Sequence, residues 1–195
     1  NPEHPIILYL GSSQNAGDET WLVKDLYQAL REAHDPRLRQ TQLIIRPHPA
    51  NSDYYAALDL AGLHVIPRKG ILPVSEDAFQ LFFDSIYHSV AAIMGVSTSG
   101  VIDSIIAGKP AIAIIVDEYK ERQAQTYHFQ HLFRSDAIEI ASSAKDCMPI
   151  IQALYDGKDT KRIKRETFVR NFLRPRGIEK NVGTIIADEI ESLAG

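Results

Sequence analysis

Short apolar runs rich in β-branched residues alternate along the chain with longer segments in which apolar residues recur every three or four positions. The short runs predict buried strands at 6–10, 43–46, 64–66, 91–94, 111–116 and 138–140. The longer segments predict helices at 18–33, 52–60, 75–89, 100–107, 121–133, 144–155, 160–172 and 182–193. This alternation, with strands that are apolar throughout, predicts an α/β fold: a Rossmann-like, doubly wound parallel sheet of about six strands with helices on both faces.

The loop after the fourth predicted strand, Gly95-Val96-Ser97-Thr98-Ser99-Gly100, is the strongest candidate for a ligand site. Ligands of such sheets bind at the carboxyl ends of the strands, and a following helix start offers free N–H groups and a positive dipole end. The hydroxyls of Ser97, Thr98 and Ser99 and the backbone at Gly100 suit a phosphate, and Asp103 suits ribose hydroxyls. A capped helix after a tight turn would show the same pattern.

Two sharper interpretations of this loop fail on spacing. A nucleophile elbow requires glycine two residues after the serine, but Ser99 follows Ser97 at that distance. A Walker phosphate loop requires Lys after its second glycine, and Val101 follows Gly100. The loop is therefore typical of neither a hydrolase nor a phosphate-loop NTPase.

The second predicted strand ends in Arg46-Pro47-His48-Pro49. The two prolines restrict the backbone on either side of His48, so that its imidazole is held in place. Arg46 and His48 form a donor pair for phosphate oxygens, and an imidazole can also supply a proton to a leaving phosphate. A rigid loop with a surface histidine is the alternative.

Weaker candidates follow the first and third strands or lie within the predicted helix 121–133. Gly11 and Ser12 have the small size that close approach to a ligand requires, and Arg68 adds a cation at the same predicted edge, although a solvated turn has the same composition. Gln125 and His128 lie one helical turn apart, as do His128 and His131, and Gln125, Thr126 and His128 are candidates to line the cleft. No third ligand accompanies the histidines, so we expect no metal site.

Composition narrows the function classes. The chain has 195 residues and a formal net charge of −4, which argues against nucleic-acid binding. The single cysteine, Cys147, rules out an internal disulfide, and no apolar run reaches a membrane span of about 18 residues. We expect a cytoplasmic protein, with contact to the inner face of the membrane left open. Because Asn1 leads straight into a strand without a signal pattern, we expect residues 1–195 to be one domain of a longer chain.

The order of these motifs resembles the C-terminal domain of GT-B fold glycosyltransferases. The residues that carry the likeness are Arg46-Pro47-His48-Pro49, the loop 95–99, Asp103 and Gly108-Lys109-Pro110. The nearer likeness is to CDP-glycerol glycerophosphotransferases and capsule polysaccharide transferases. UDP-N-acetylglucosamine 2-epimerases share the fold, but their acidic position is commonly paired with a second Glu, where this chain has Ser104.

The resemblance implies a donor-binding half of a glycosyltransferase or glycerophosphotransferase-like enzyme of surface glycan synthesis. The donor would be a nucleotide-activated sugar or polyol phosphate, linked to CDP, CMP or UDP, with no further cofactor. His48 would bind or protonate the diphosphate, Ser97, Thr98 and Ser99 would hold it, and Asp103 would face the ribose. An N-terminal half would supply acceptor contacts, and the helix within 178–195 would pack on it. A nucleotide-sugar epimerase and a non-catalytic nucleotide- or partner-binding domain are the alternatives.

Overall fold

Six parallel strands form the centre of the computed structural model, which describes residues 4–13, 16–69, 74–96, 98–124 and 126–194. The strand order is β3-β2-β1-β4-β5-β6, and every neighbouring pair is parallel. The strands are β1 Ile6–Leu10, β2 Gln42–Arg46, β3 Leu63–Val65, β4 Ala91–Met94, β5 Ala111–Ile114 and β6 Glu139–Ala141. The chain reverses its direction of winding between β1 and β4, so the loops after these two strands meet at the topological switch point.

Helices connect the strands, and in the described residues they cover both faces of the sheet. They are α1 Thr20–Glu32, α2 Pro36–Gln40, α3 Ser52–Tyr55, α4 Glu76–Tyr87, α5 Gly100–Ile106, α6 Lys120–Ala124, α7 Tyr127–Ser135, α8 Cys147–Tyr155, α9 Arg162–Phe168 and α10 Val182–Ala194. A 3-10 turn at Pro49–Asn51 precedes α3, and a π-helical turn at Val169–Leu173 follows α9. None of the described helices is long and apolar enough to cross a bilayer.

Successive strand side chains point to opposite faces and so belong to two cores. Ile7 and Tyr9 pack with α1 and α8 on one face, whereas Leu8 and Leu10 pack with Ile86 of α4 on the other. Farther along the second face, Met94 and Ala113 pack against α5, α7 and α9. The predicted doubly wound α/β fold is confirmed.

Several helix predictions differ from the structure. The predicted helix 121–133 is divided into α6 and α7 because Thr126 has an extended backbone. The predicted helix 52–60 stops at Tyr55, and that at 160–172 changes to a π-helical turn after Phe168. The sequence analysis missed α2, in which Asp35 accepts from the backbone N–H of Arg37 and Pro36 occupies the first helical position.

Candidate functional site

A cavity of about 320 Å³ opens at the carboxyl edge of the sheet, where the loops after β1, β2, β3 and β4 converge. Charged and polar residues line part of it, and three phenylalanines of α4 supply an aromatic part. The lining residues are Leu10, Gly11, Arg46, Pro47, His48, Pro49, Pro67, Phe79, Phe82, Phe83, Thr98, Ser99, Gly100 and Asp103. The structure thus brings together seven of the residues that the sequence nominated.

Arg46 is the cation of this cavity. Its Nη1 is buried and has no hydrogen-bond partner among the described residues, and none of the ion pairs between described residues involves it. The guanidinium carbon lies 5.3 Å from the centroid of the Phe82 ring, in a cation–π contact. Burial lowers the pKa of Arg46, but a guanidinium stays protonated at neutral pH. The site therefore holds a half-buried positive charge with an unsatisfied donor, which an anionic ligand would satisfy.

His48 is held by its own turn. Its Nδ1 accepts from the backbone N–H of Ala50 at 3.2 Å, and its carbonyl accepts from the N–H of Asn51 at 2.9 Å. Because Nδ1 is an acceptor, the proton of the neutral imidazole is on Nε2. His48 therefore presents an N–H donor from a cavity-lining residue.

Gly11 allows the loops after β1 and β2 to touch. Its N–H donates to the Arg46 carbonyl at 2.9 Å. A Cβ atom at Gly11 would lie 3.0 Å from the His48 nitrogen and 3.1 Å from the Pro47 Cα. Because both contacts are to backbone, a larger residue would displace the turn that carries His48.

The start of α5 and the residues just before it supply further polar lining of the cavity. The Thr98 hydroxyl accepts from the backbone N–H of Gly100 at 3.3 Å, and Ser99 makes no side-chain cap of the helix. Asp103 is half-buried in the first turn, and burial raises the pKa of its carboxyl group. No ion pair between described residues includes Asp103, although it lines the same cavity as Arg46. Ser97 lies outside the described residues.

Ser12 does not line the cavity. It is 1% exposed, and its N–H and Oγ donate to Glu19 at 2.5 and 2.9 Å. Its Oγ also accepts from the N–H of Val96 at 3.1 Å. Ser12 therefore connects the loop after β1 to Glu19 and to the loop after β4 and is not part of the cavity lining. Sequence reasoning missed Glu19, because an acidic residue at a helix start gives no sign that it will be buried.

The remaining candidates lie elsewhere or outside the described part. Arg68 is exposed and does not line the cavity, although its neighbour Pro67 does. The Thr126 hydroxyl donates to the Gln123 carbonyl at 2.9 Å and also lies away from the cavity. Gln125 and the side chain of His128 are outside the described residues. Among the residues that are described, no group of three could hold a metal ion.

No family model matches the sequence, and no curated protein is similar enough to be matched. Solved structures do match. The calicheamicin glycosyltransferase CalG4 has a TM-score of 0.60 at 14% identity, covering 98% of this chain and 44% of that chain. The wall teichoic acid polymerase TagF, soaked with CDPG, has a TM-score of 0.56 at 18% identity, covering 98% and 43%. The C-terminal CMP-Kdo binding domain of WaaA from Acinetobacter baumannii has a TM-score of 0.53 at 13% identity, covering 86% and 90%.

This chain therefore spans less than half the length of CalG4 and TagF but corresponds to nearly all of the WaaA domain. The TM-scores of 0.53 to 0.60 establish a shared fold, and sequence identities of 13% to 18% carry no information on the substrate. The strand order and the cavity at the switch point agree with that fold. The chain has the Rossmann-like fold of the C-terminal domain of GT-B glycosyltransferases.

Proposed function

We propose that this chain is the donor-binding half of a glycosyltransferase or glycerophosphotransferase-like enzyme, and that its cavity takes the nucleotide diphosphate of the donor. The observation that carries the proposal is the Arg46 guanidinium, which lines the cavity at the switch point with a buried Nη1 that no described residue hydrogen-bonds. The proteins of similar fold include a CMP-Kdo binding domain and a polymerase soaked with CDPG. These ligands support a nucleotide-activated sugar or polyol phosphate as the ligand class.

Each lining group would have a distinct role. Arg46 would pair with phosphate oxygens, with help from the Thr98 and Ser99 hydroxyls and the amides at the start of α5. Asp103 would accept from ribose hydroxyls. As the bond to the leaving phosphate breaks, its electron pair would pass to a phosphate oxygen. Arg46 would stabilise that charge, and the Nε2–H of His48 would donate to it.

Transfer itself would require a second domain. CalG4 and TagF are each more than twice as long as the matched region. We propose that α10 packs on that domain, because no residue of α10 is buried and its apolar side chains recur at helical spacing. The exposed members of this stripe are Val182, Ile186, Ile190 and Leu193. We therefore expect this chain to bind nucleotide but not to complete a reaction.

Calorimetric titration with CMP, CDP, UDP and GDP tests the proposal. We expect one nucleotide to bind better than the others and Arg46→Ala to weaken it at least about tenfold, as expected when a charge-assisted contact is lost. Arg68→Ala is the matched control, because Arg68 is an exposed arginine outside the cavity lining. We expect His48→Ala to weaken nucleotide binding as well. His64→Ala, which removes an exposed histidine of β3, is its control.

The outcomes separate the alternatives. Preference for CDP or CMP supports the transferase, whereas preference for UDP favours UDP-sugar enzymes, including the epimerase. Affinity that survives both His48→Ala and Asp103→Asn favours a non-catalytic binding domain. No binding at millimolar concentrations would refute the proposal that this half alone forms the nucleotide site.

A further inference from the structure

We infer that Glu19 is a positioning residue of the proposed nucleotide site, and that its buried carboxylate fixes the relative positions of three of the strand-end loops that form the cavity, those after β1, β2 and β4. The effect of Glu19 on nucleotide affinity rests on the proposed function, whereas the hydrogen-bond network is present in the protein without ligand. Glu19 does not line the cavity.

Glu19 occupies the N-cap position of α1 without capping it. Its side chain makes no cap hydrogen bond, and Asp18 instead accepts from the N–H and hydroxyl of Thr20 at 2.9 and 2.7 Å. The Glu19 side chain points into the protein and is 1% exposed. A carboxylate is costly to bury, so its place must be explained by the groups that surround it.

Three donors surround the carboxylate. Oε1 accepts from the Ser12 N–H at 2.5 Å and from the Tyr55 hydroxyl at 2.7 Å. Oε2 accepts from the Ser12 hydroxyl at 2.9 Å. Both oxygens are acceptors in this arrangement, as in an ionised carboxylate. Burial and the charge of Glu19 both raise the pKa of Tyr55, so that this hydroxyl remains a donor.

The network extends from Glu19 to all three loops. Because the Ser12 hydroxyl donates its proton to Glu19, it can accept from the Val96 N–H at 3.1 Å, two residues before Thr98. Asn51, which closes the His48 turn, donates to the carbonyls of Ser12 and Ser13 at 3.0 and 2.8 Å. Glu19 thereby links the loop after β1 to those that carry His48 and Thr98.

The carboxylate also lies against the backbone of Gly95. A Cβ atom at Gly95 would approach Glu19 Oε2 to 2.6 Å and the Tyr9 hydroxyl to 2.5 Å. On the other side of this loop, buried Gln123 donates from Nε2 to the Gly95 carbonyl. The Gly95–Val96 backbone is therefore held between Glu19 with Ser12 on one side and Gln123 on the other, immediately before the proposed phosphate-binding residues.

Glutamine at position 19 tests the need for a carboxylate with little change in shape. The amide NH2 replaces one carboxylate oxygen and cannot accept, so at least one of the three donors loses its acceptor, and two lose it if the NH2 takes the place of Oε1. In Glu19→Gln we expect amide hydrogen exchange at Val96 to rise at least about tenfold, and affinity for the preferred nucleoside diphosphate to fall by a similar factor. Asp18→Asn is the matched control and should change neither quantity, because Asp18 contacts Thr20 and not Ser12.

Ser12→Ala provides a second variant in case Glu19→Gln does not fold, because it removes the Val96 acceptor and leaves the carboxylate. It should also raise Val96 exchange, and the double variant should add little to either single one. The inference is overturned if Val96 exchange in folded variants matches the wild type, or if exchange rises while affinity is unchanged. If the wild type binds no nucleotide, the proposed function fails and so does the role of Glu19 in it, whereas the exchange measurement still decides whether Glu19 fixes the loops.

Discussion

At the residue scale, we expect the Asp103 carboxylate to lower the free energy of unfolding while it favours nucleotide binding. Burial raises the pKa of its carboxyl group, so folding disfavours the ionised form. The folded state then binds more protons than the unfolded one between the unfolded pKa of about 3.9 and the raised folded value, and stability falls as pH rises through that window. Asp103→Asn should therefore raise the free energy of unfolding at neutral pH, with the gain disappearing as pH falls towards the unfolded pKa, and should weaken nucleotide binding.

Urea unfolding at several pH values and titration with nucleotide measure the two effects. Asp77→Asn is the control, because Asp77 is an exposed carboxylate in the first turn of α4. It should not gain stability at neutral pH. If Asp103→Asn destabilises the protein at neutral pH but not at low pH, the amides of α5 stabilise the charge more than burial disfavours it.

The residues that sequence reasoning identified correctly as cavity-lining share one feature: they lie at or just beyond the carboxyl ends of parallel strands. Arg46 ends β2 and His48 follows it, and Thr98 and Ser99 lie in the loop after β4, so the parallel topology brings them to one edge. Ser12 also follows a strand, but its direction depends on Glu19, which no local pattern reveals. Position at the strand ends and long-range contacts, rather than residue type, therefore determine which candidate residues line the cavity.

At the element scale, the central strands were predictable because they are continuous apolar runs buried on both faces, as β4 and β5 show with every residue buried. Helix ends were less predictable where tertiary contacts override periodicity. Gln123, near the end of α6, is buried and its side-chain amide donates to the Gly95 carbonyl. The helix is interrupted at Thr126, whose backbone is extended, before α7 starts. The periodicity of apolar residues is a local pattern and does not predict this long-range contact.

The docking of α9 depends on one buried cation. Arg165 is 2% exposed, forms an ion pair with Asp159, and donates to the Gly108 carbonyl at 3.3 Å. Arg165→Ala leaves both acceptors without this donor, and we expect a loss of roughly 3 kcal/mol in the free energy of unfolding. Denaturant unfolding measures it.

Arg162→Ala is the matched control on the same helix. Arg162 pairs with Glu166 at 3.0 Å but its side chain is 70% exposed, so its removal should cost no more than about 0.5 kcal/mol. Equal effects of the two variants would contradict the assignment of Arg165 as the residue that fixes α9 to the turn after α5.

At the scale of the whole molecule, Cys147 reports on the integrity of the core. It is the first residue of α8 and is fully buried in the core between that helix and the sheet, and burial raises the pKa of its thiol to about 12, with a smaller contribution from Asp146. Only the thiolate reacts with alkylating reagents, so native protein at pH 8 should be labelled slowly and unfolded protein rapidly. Fast labelling under native conditions, at a rate independent of denaturant, would show that α8 opens locally.

The same thiol can show whether α10 belongs to this folded unit. No residue of α10 is buried, and its described ion pairs, Arg176–Glu189 and Lys180–Asp188, run only to the preceding segment. Truncation after Gly177 should therefore leave the labelling rate of Cys147 and the free energy of unfolding within about 1 kcal/mol of the full chain. Truncation before α9, which removes Phe168 and Arg165 from the core, should accelerate labelling strongly. If loss of α10 alone destabilises the core, the stripe of Val182, Ile186, Ile190 and Leu193 serves this domain and is not available to a second one.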